Sequence, residues 1–173
     1  MNIDTIFPLI DAMLVEGGGL VCLDGRSCAG KTTIAAQLAE HYGCGVVHMD
    51  DFFLPAEKRT PECNIDFPRF RQQVTEQLHL SEFSYDAYCC KNGKYTAKTV
   101  QTSPFLLIEG CYCLHPDTEL NPNLRLFADI SSELQRERLL MRNGEDGYKK
   151  FCEMWLPREE AYFRAHRFSF NNS

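Results

Sequence analysis

Gly25-Arg26-Ser27-Cys28-Ala29-Gly30-Lys31-Thr32, continued by Thr33, is the stretch that decides the fold. It fits the pattern G-x-x-x-x-G-K-[S/T] in full. Its glycines let the backbone curl so that successive N–H groups point inward at phosphate oxygens. A helix opening directly after such a loop adds its positive N-terminal end to the same concavity. The pattern assigns Lys31 to the β- and γ-phosphates of a nucleoside triphosphate and the Thr32 hydroxyl to Mg²⁺. The loop 25–33 is therefore expected to bind ATP as its magnesium complex.

The flanks carry the structure that such a loop needs. Leu20-Val21-Cys22-Leu23 is a short apolar run suited to a buried parallel strand, and residues 30–42 read as a helix stopped by Gly43 and Gly45. Further buried strands are expected at 46–49, 105–108 and 124–130. Helices are expected over 3–14, weakly over 67–80, from a Ser131-Ser132 cap to about Met141, and over 148–166 with a bend near Pro157. Residues 54–66 hold two prolines and no period, which predicts a loop. Tyr85, Tyr88, Tyr95, Thr96, Thr99 and Val100 surround Asn92-Gly93, which predicts a β-hairpin over about 83–100. Strands alternating with helices imply βαβ units: an α/β fold whose parallel sheet is covered on both faces, with ligand at the C-terminal strand ends. No internal repeat or linker divides the chain, so residues 1–173 are expected to form one domain.

Composition narrows the class. A chain of 173 residues, 44% of them hydrophobic, can bury a full core. Its 24 acidic and 18 basic residues leave a net charge of -6, which argues against wrapping a nucleic acid polymer but not against holding a nucleotide. The first nineteen residues carry Asp4, Asp11 and Glu16 and no Lys or Arg, unlike a secretory or mitochondrial leader. No apolar run is long enough to span a bilayer. A cytoplasmic protein without a membrane partner is expected. The nine cysteines contain no C-x-x-C pair and read as reduced thiols used as small hydrophobes, with Cys111-Tyr112-Cys113 the one pair to watch.

Two acidic positions stand at the strand ends. Asp50 and Asp51 follow the strand 46–49, and Glu109 follows the strand 105–108. An acid at this edge can hold Mg²⁺ through water or accept the proton of an attacking hydroxyl. Asp50, the first residue past its strand, is the expected base, and Glu109 the expected metal-shell carboxylate. A solvated helix cap or turn is the plain alternative for the Asp pair. Near the C-terminus, Arg136, Arg138 and Arg142 fall on the helix that ends near Met141. Arg142 leads into the polar stretch Asn143–Gly147, so a mobile element over 136–147 could bring Arg142 to the triphosphate and exclude water. The alternative is a solvated face paired with Glu133 and Glu137.

Taken together, these residues resemble the uridine kinase and phosphoribulokinase branch of the P-loop kinases. The resemblance rests on Asp24 through Thr33, Met49-Asp50-Asp51-Phe52-Phe53, Asn64-Ile65-Asp66-Phe67-Pro68, Tyr85-Asp86, Ile108-Glu109-Gly110 and Arg138 through Asn143, in family order over about 20–143. It implies a five-stranded (or nearly so) parallel sheet with a small hairpin over the acceptor site. It also implies ATP and Mg²⁺ as cofactors and transfer of a phosphoryl group to a nucleoside such as uridine or cytidine. Asp50 resembles the family's base for the 5′-hydroxyl, Asp66 the acid that grips the ribose, and Arg142 a lid arginine. Tyr85 lies where the hairpin packs on the base, and Phe53 falls beside the same acceptor site. Asn143 stands where the family usually has Asp, Ala87 follows Asp86 where an aromatic or His is common, and the segment after Tyr162 is short. A kinase for another small alcohol, such as pantothenate or a sugar phosphate, and an ATP-binding regulator without transfer activity are the alternatives. Oligomeric state is not written in the sequence.

Overall fold

Side-chain alternation along two strands builds both cores. In the computed structural model, which describes residues 1–60 and 64–166, β1 (Gly19–Gly25) and β5 (Phe105–Glu109) lie side by side in parallel. Successive residues of a strand face opposite sides of the sheet. Leu20 and Cys22 of β1, with Leu106 and Ile108 of β5, therefore enter one core, while Val21, Leu23, Phe105 and Leu107 enter the other. With both faces covered, the strands read as continuous apolar runs.

Four strands in the order β2-β5-β1-β6 make the parallel sheet among the described residues, with β2 at Gly45–His48 and β6 at Leu124–Ala128. That is one strand fewer than the five implied by the resemblance. The tail 167–173, where the sequence suggests an abbreviated last strand, lies outside the described residues, as do Cys63 and positions 61–63 of the expected loop. One face is covered by α1 (Phe7–Val15) and α2 (Lys31–Tyr42), which bury Ile10, Met13, Ile34, Ala35 and Leu38. The other carries α3 (Phe67–Gln73) and the antiparallel hairpin β3 (Glu82–Cys89) and β4 (Lys94–Gln101). There Phe52 meets Phe70 edge-on at 4.9 Å and stacks on Tyr85 at 5.3 Å. Each such buried ring contributes about 1.5–3 kcal/mol by leaving water.

The expected bend near Pro157 is replaced by a break further upstream. Ser131 caps α4 (Ser132–Ala165) by accepting from Leu134 N, and the helical run then continues for 34 residues. Its backbone leaves helical geometry at Gly144, with φ 68° and ψ -179°, a region that only glycine enters without strain. Arg138 and Arg142 precede the break, and Trp155, Glu159 and Tyr162 follow it. No helix among the described residues is long and apolar enough to cross a membrane. All eight described cysteines are free.

Candidate functional site

Strand register brings the chemistry to one edge. His48 pairs with Glu109 between β2 and β5, and β1 ends beside them at Gly25, where the loop 25–33 begins. Gly25 has φ 140°, and a Cβ there would stand 2.1 Å from the Ala128 carbonyl oxygen, so β6 approaches too closely for any side chain. Arg26 N donates to that carbonyl at 3.0 Å. Cys28 and Gly30 take left-handed φ values of 63° and 89°, which curl the loop before α2 opens at Lys31. The buried Lys31 ammonium folds back and donates to the Gly25 and Arg26 carbonyls, each at 2.8 Å.

Both halves of α4 hold this loop from above. Gln135 donates to the Ser27 carbonyl at 3.1 Å, and Arg138 donates to the Cys28 carbonyl at 2.8 Å. Beyond the break, the buried Glu159 carboxylate accepts from Ser27 N at 2.9 Å and from the Ser27 hydroxyl at 2.6 Å, while Gln135 donates to its other oxygen at 2.9 Å. Arg26 points outward and pairs with Asp129 at 2.8 Å and with Glu160. Nothing in the sequence pattern marks Gln135 or Glu159, because their role depends on how a distant helix crosses the loop.

At the acidic edge the Thr32 hydroxyl donates to Glu109 at 3.1 Å, and His48 Nδ1 lies 2.5 Å from the same carboxylate oxygen. That contact raises the His48 pKa above its ordinary value against the opposing effect of burial. Asp50 is reached by solvent through the mouth of a cavity. Protein packed around it nevertheless pushes its carboxyl upward, and repulsion from Glu109 adds to the shift. A carboxylate with raised pKa is a better proton acceptor near neutral pH.

The cavity has a volume of about 1000 Å³. It brings together much of what the sequence singles out: Ser27, Cys28, Gly30, Lys31, Thr32 and Thr33 of the loop, then Asp50, Phe53, Glu109 and Arg142. Arg138 also lines it, although the sequence favours only Arg142 among the three arginines. Trp155 is a second residue that sequence reasoning passes over. It meets Phe53 at 5.4 Å, and the Arg59 guanidinium lies over both rings at 5.8 and 5.5 Å.

Asp66 and Tyr85 do not line this cavity. Asp66 caps α3 by accepting from Arg69 N and pairs with the Arg69 side chain, both at 3.2 Å. Tyr85 is 2% exposed, and its hydroxyl donates to Asp51 at 2.9 Å, where Lys98 also binds at 2.7 Å. Burial and the Asp51 charge raise the Tyr85 pKa far above its ordinary value.

No group of three or more His, Cys, Asp or Glu residues among the described residues could enclose a metal ion. Mg²⁺ does not need such a cage. It takes one or two protein oxygens and fills its octahedron with water and phosphate oxygens, and Thr32 with Glu109 offer that kind of donor set.

The fold is similar to that of a structure from Bacillus stearothermophilus described as a possible uridine kinase. The two share 21% identity with a TM-score of 0.72, over 95% of this chain and 92% of that one. The α/β fold expected from the sequence, with a parallel sheet covered on both faces, is therefore the fold the two share. No protein-family model matches the chain, and no curated protein matches it.

Proposed function

We propose that the protein is an ATP-dependent phosphotransferase acting on a hydroxyl of a small molecule, with a nucleoside such as uridine or cytidine as the first acceptor to test. The observation that carries this reading is the position of Asp50. It lines the same cavity as Lys31, Thr32 and Glu109, so an acceptor hydroxyl beside the loop meets a carboxylate. A protein that only bound ATP would have no use for such a base.

ATP supplies the phosphoryl group, and Mg²⁺, when bound, neutralises its oxygens. The curled backbone of 25–33 cradles the phosphates, with Lys31 moving from loop carbonyls to phosphate oxygens. Thr32 and Glu109 would hold the metal. Asp50 orients the acceptor hydroxyl and takes its proton as that oxygen bonds to phosphorus and the bond to ADP breaks. Arg138 and Arg142 face the charge that spreads over the transferred group. Phe53, Tyr112 and Trp155 favour an aromatic acceptor. Arg59 and Lys150, which line the same cavity, favour the second reading, a small alcohol that carries an anionic group, such as pantothenate or a sugar phosphate.

ADP release from ATP-Mg²⁺ with a panel of nucleosides, pantothenate and sugar phosphates tests the proposal. Acceptor-dependent ADP release supports it. ATP binding with no acceptor-dependent release from any panel member would favour a regulatory binding protein.

A further inference from the structure

One buried amide in the site has nothing to bind. Asn64 is 3% exposed and lines the cavity, and its Nδ2 has no hydrogen-bond partner. Among the described residues no other buried side-chain nitrogen or oxygen is left in this state. Folded proteins leave few buried donors unpaired, and such a group in a binding cavity calls for a partner from outside the chain.

The backbone fixes where that donor stands. Asn64 O accepts from Leu54 N at 2.8 Å, Ile65 bridges Phe53, and Asp66 N donates to Phe52 O at 2.8 Å. Asn64 is thereby tied through the backbone to the segment that follows Asp50. The neighbouring acid that the sequence resemblance would assign to acceptor binding, Asp66, is already bonded to Arg69 and lies outside the cavity lining.

The chemistry of recognition changes with this exchange. A carboxylate selects hydroxyl donors, whereas an amide N–H selects an oxygen with a free lone pair. Arg59, which lines the same cavity over Phe53 and Trp155, adds positive charge. Resting on the phosphotransferase reading, we propose that Asn64 is the specificity-determining residue for the acceptor, donating from Nδ2 to a carbonyl, carboxylate or phosphate oxygen of that molecule. The acceptor therefore carries two features: the hydroxyl that Asp50 addresses and an accepting oxygen within reach of Asn64.

Three probes separate the sources of that oxygen: uridine through its ring carbonyls, pantothenate through its carboxylate and ribose 5-phosphate through its phosphate. Ribose, which lacks the ring carbonyls and the phosphate, and panthenol, which keeps the amide carbonyl and lacks only the carboxylate, serve as counterparts. Calorimetric binding to the ADP-Mg²⁺ complex and ADP release would be measured for wild type, N64A and N64D, with ADP affinity and thermal midpoint as controls for folding. One probe is expected to bind wild type and to lose on the order of 10- to 100-fold in affinity in N64A. N64D, which replaces the donor by an acceptor of the same shape, should lose more. The loss should vanish for the matching counterpart, and ADP affinity should hold in N64A. Failure of all three probes to bind, or equal weakening of probe and counterpart, overturns the assignment. A probe phosphorylated equally well by wild type and N64A overturns it while leaving the phosphotransferase intact. A probe bound through Asn64 but never phosphorylated supports the assignment and removes the phosphotransferase.

Discussion

The Tyr162 hydroxyl donates to Asp24 Oδ2 at 2.7 Å, joining the last helix to the end of the central strand. Asp24 is fully buried and also accepts from Gly25 N at 2.7 Å, Tyr112 N at 3.2 Å and Leu114 N at 3.0 Å. Burial pushes its carboxyl upward, and the bonds from Tyr162, Leu114 and Gly25 oppose that shift without cancelling it. One side chain thus ties together the phosphate loop, the segment after β5 and the distal half of α4. Tyr162→Phe keeps the ring contacts with Tyr112 and His115 but removes one donor from a buried acid. It should cost about 1–3 kcal/mol in urea unfolding, and an unchanged midpoint would show that the bond contributes nothing.

Asp50→Asn should lower acceptor-dependent ADP release by about 100-fold or more while leaving ATP affinity near the wild-type value. Turnover and nucleotide titration on the same preparation separate the two effects. Wild-type turnover in this variant would remove Asp50 from the reaction.

Gly144→Ala places a side chain where φ is 68° and ψ -179°. No atom blocks the added methyl, so the cost is backbone strain alone, about 1–3 kcal/mol. If the two halves of α4 instead re-form as one straight helix, Arg138 and Glu159 lose their common hold on the loop, and ATP affinity should fall with little change in circular dichroism. Unchanged stability together with unchanged ATP affinity would mean that the break is incidental.

His115 gives stability a pH dependence of known sign. Its Nδ1 accepts from Asp117 N at 3.1 Å, which requires the neutral ring, and the ring stacks on Phe67 at 4.6 Å. Burial lowers its pKa; the nearby His166 lowers it further, and Asp117 opposes both. The unfolded chain therefore binds this proton more readily. The stabilising contribution is complete above the ordinary histidine value of about 6.5 and declines as pH falls towards the lowered value. His115→Phe should flatten that part of the profile in denaturant unfolding at pH 7.5 and 5.5. An identical slope in both proteins would assign it elsewhere.

The curled loop 25–33 and the strand before it were legible because their determinants are local: eight consecutive residues specify the turn and the helix that opens after it. The carboxylates at strand ends were legible for a related reason, since parallel topology alone sends Asp50 and Glu109 to the edge where the loop lies. Asp66 and Tyr85 have local structural roles that the sequence also spells out, beside the acceptor-site roles that the resemblance implies. Asp66 precedes Phe67-Pro68, which is also the pattern of a helix cap followed by proline in the first turn. The alternation Phe83, Tyr85, Ala87 marks the inward face of a strand, and all three are buried. Gln135, Trp155 and Glu159 could not be read at all. Their partners lie about a hundred residues away or more, and only the crossing of α4 over the loop brings them together.

Under the proposed phosphotransferase reading, the resting place of Lys31 has a consequence for nucleotide entry. Its ammonium is buried and already held by two backbone carbonyls. Stripping water from an ammonium and fixing a four-carbon chain are the usual obstacles to using lysine in a closed site. Here both have been overcome during folding, before any phosphate arrives. Binding then becomes a ligand exchange at nitrogen, in which two neutral carbonyl oxygens give way to charged phosphate oxygens. The lysine thus works as a preloaded contact whose gain on exchange comes almost wholly from the difference between a dipole and a charge.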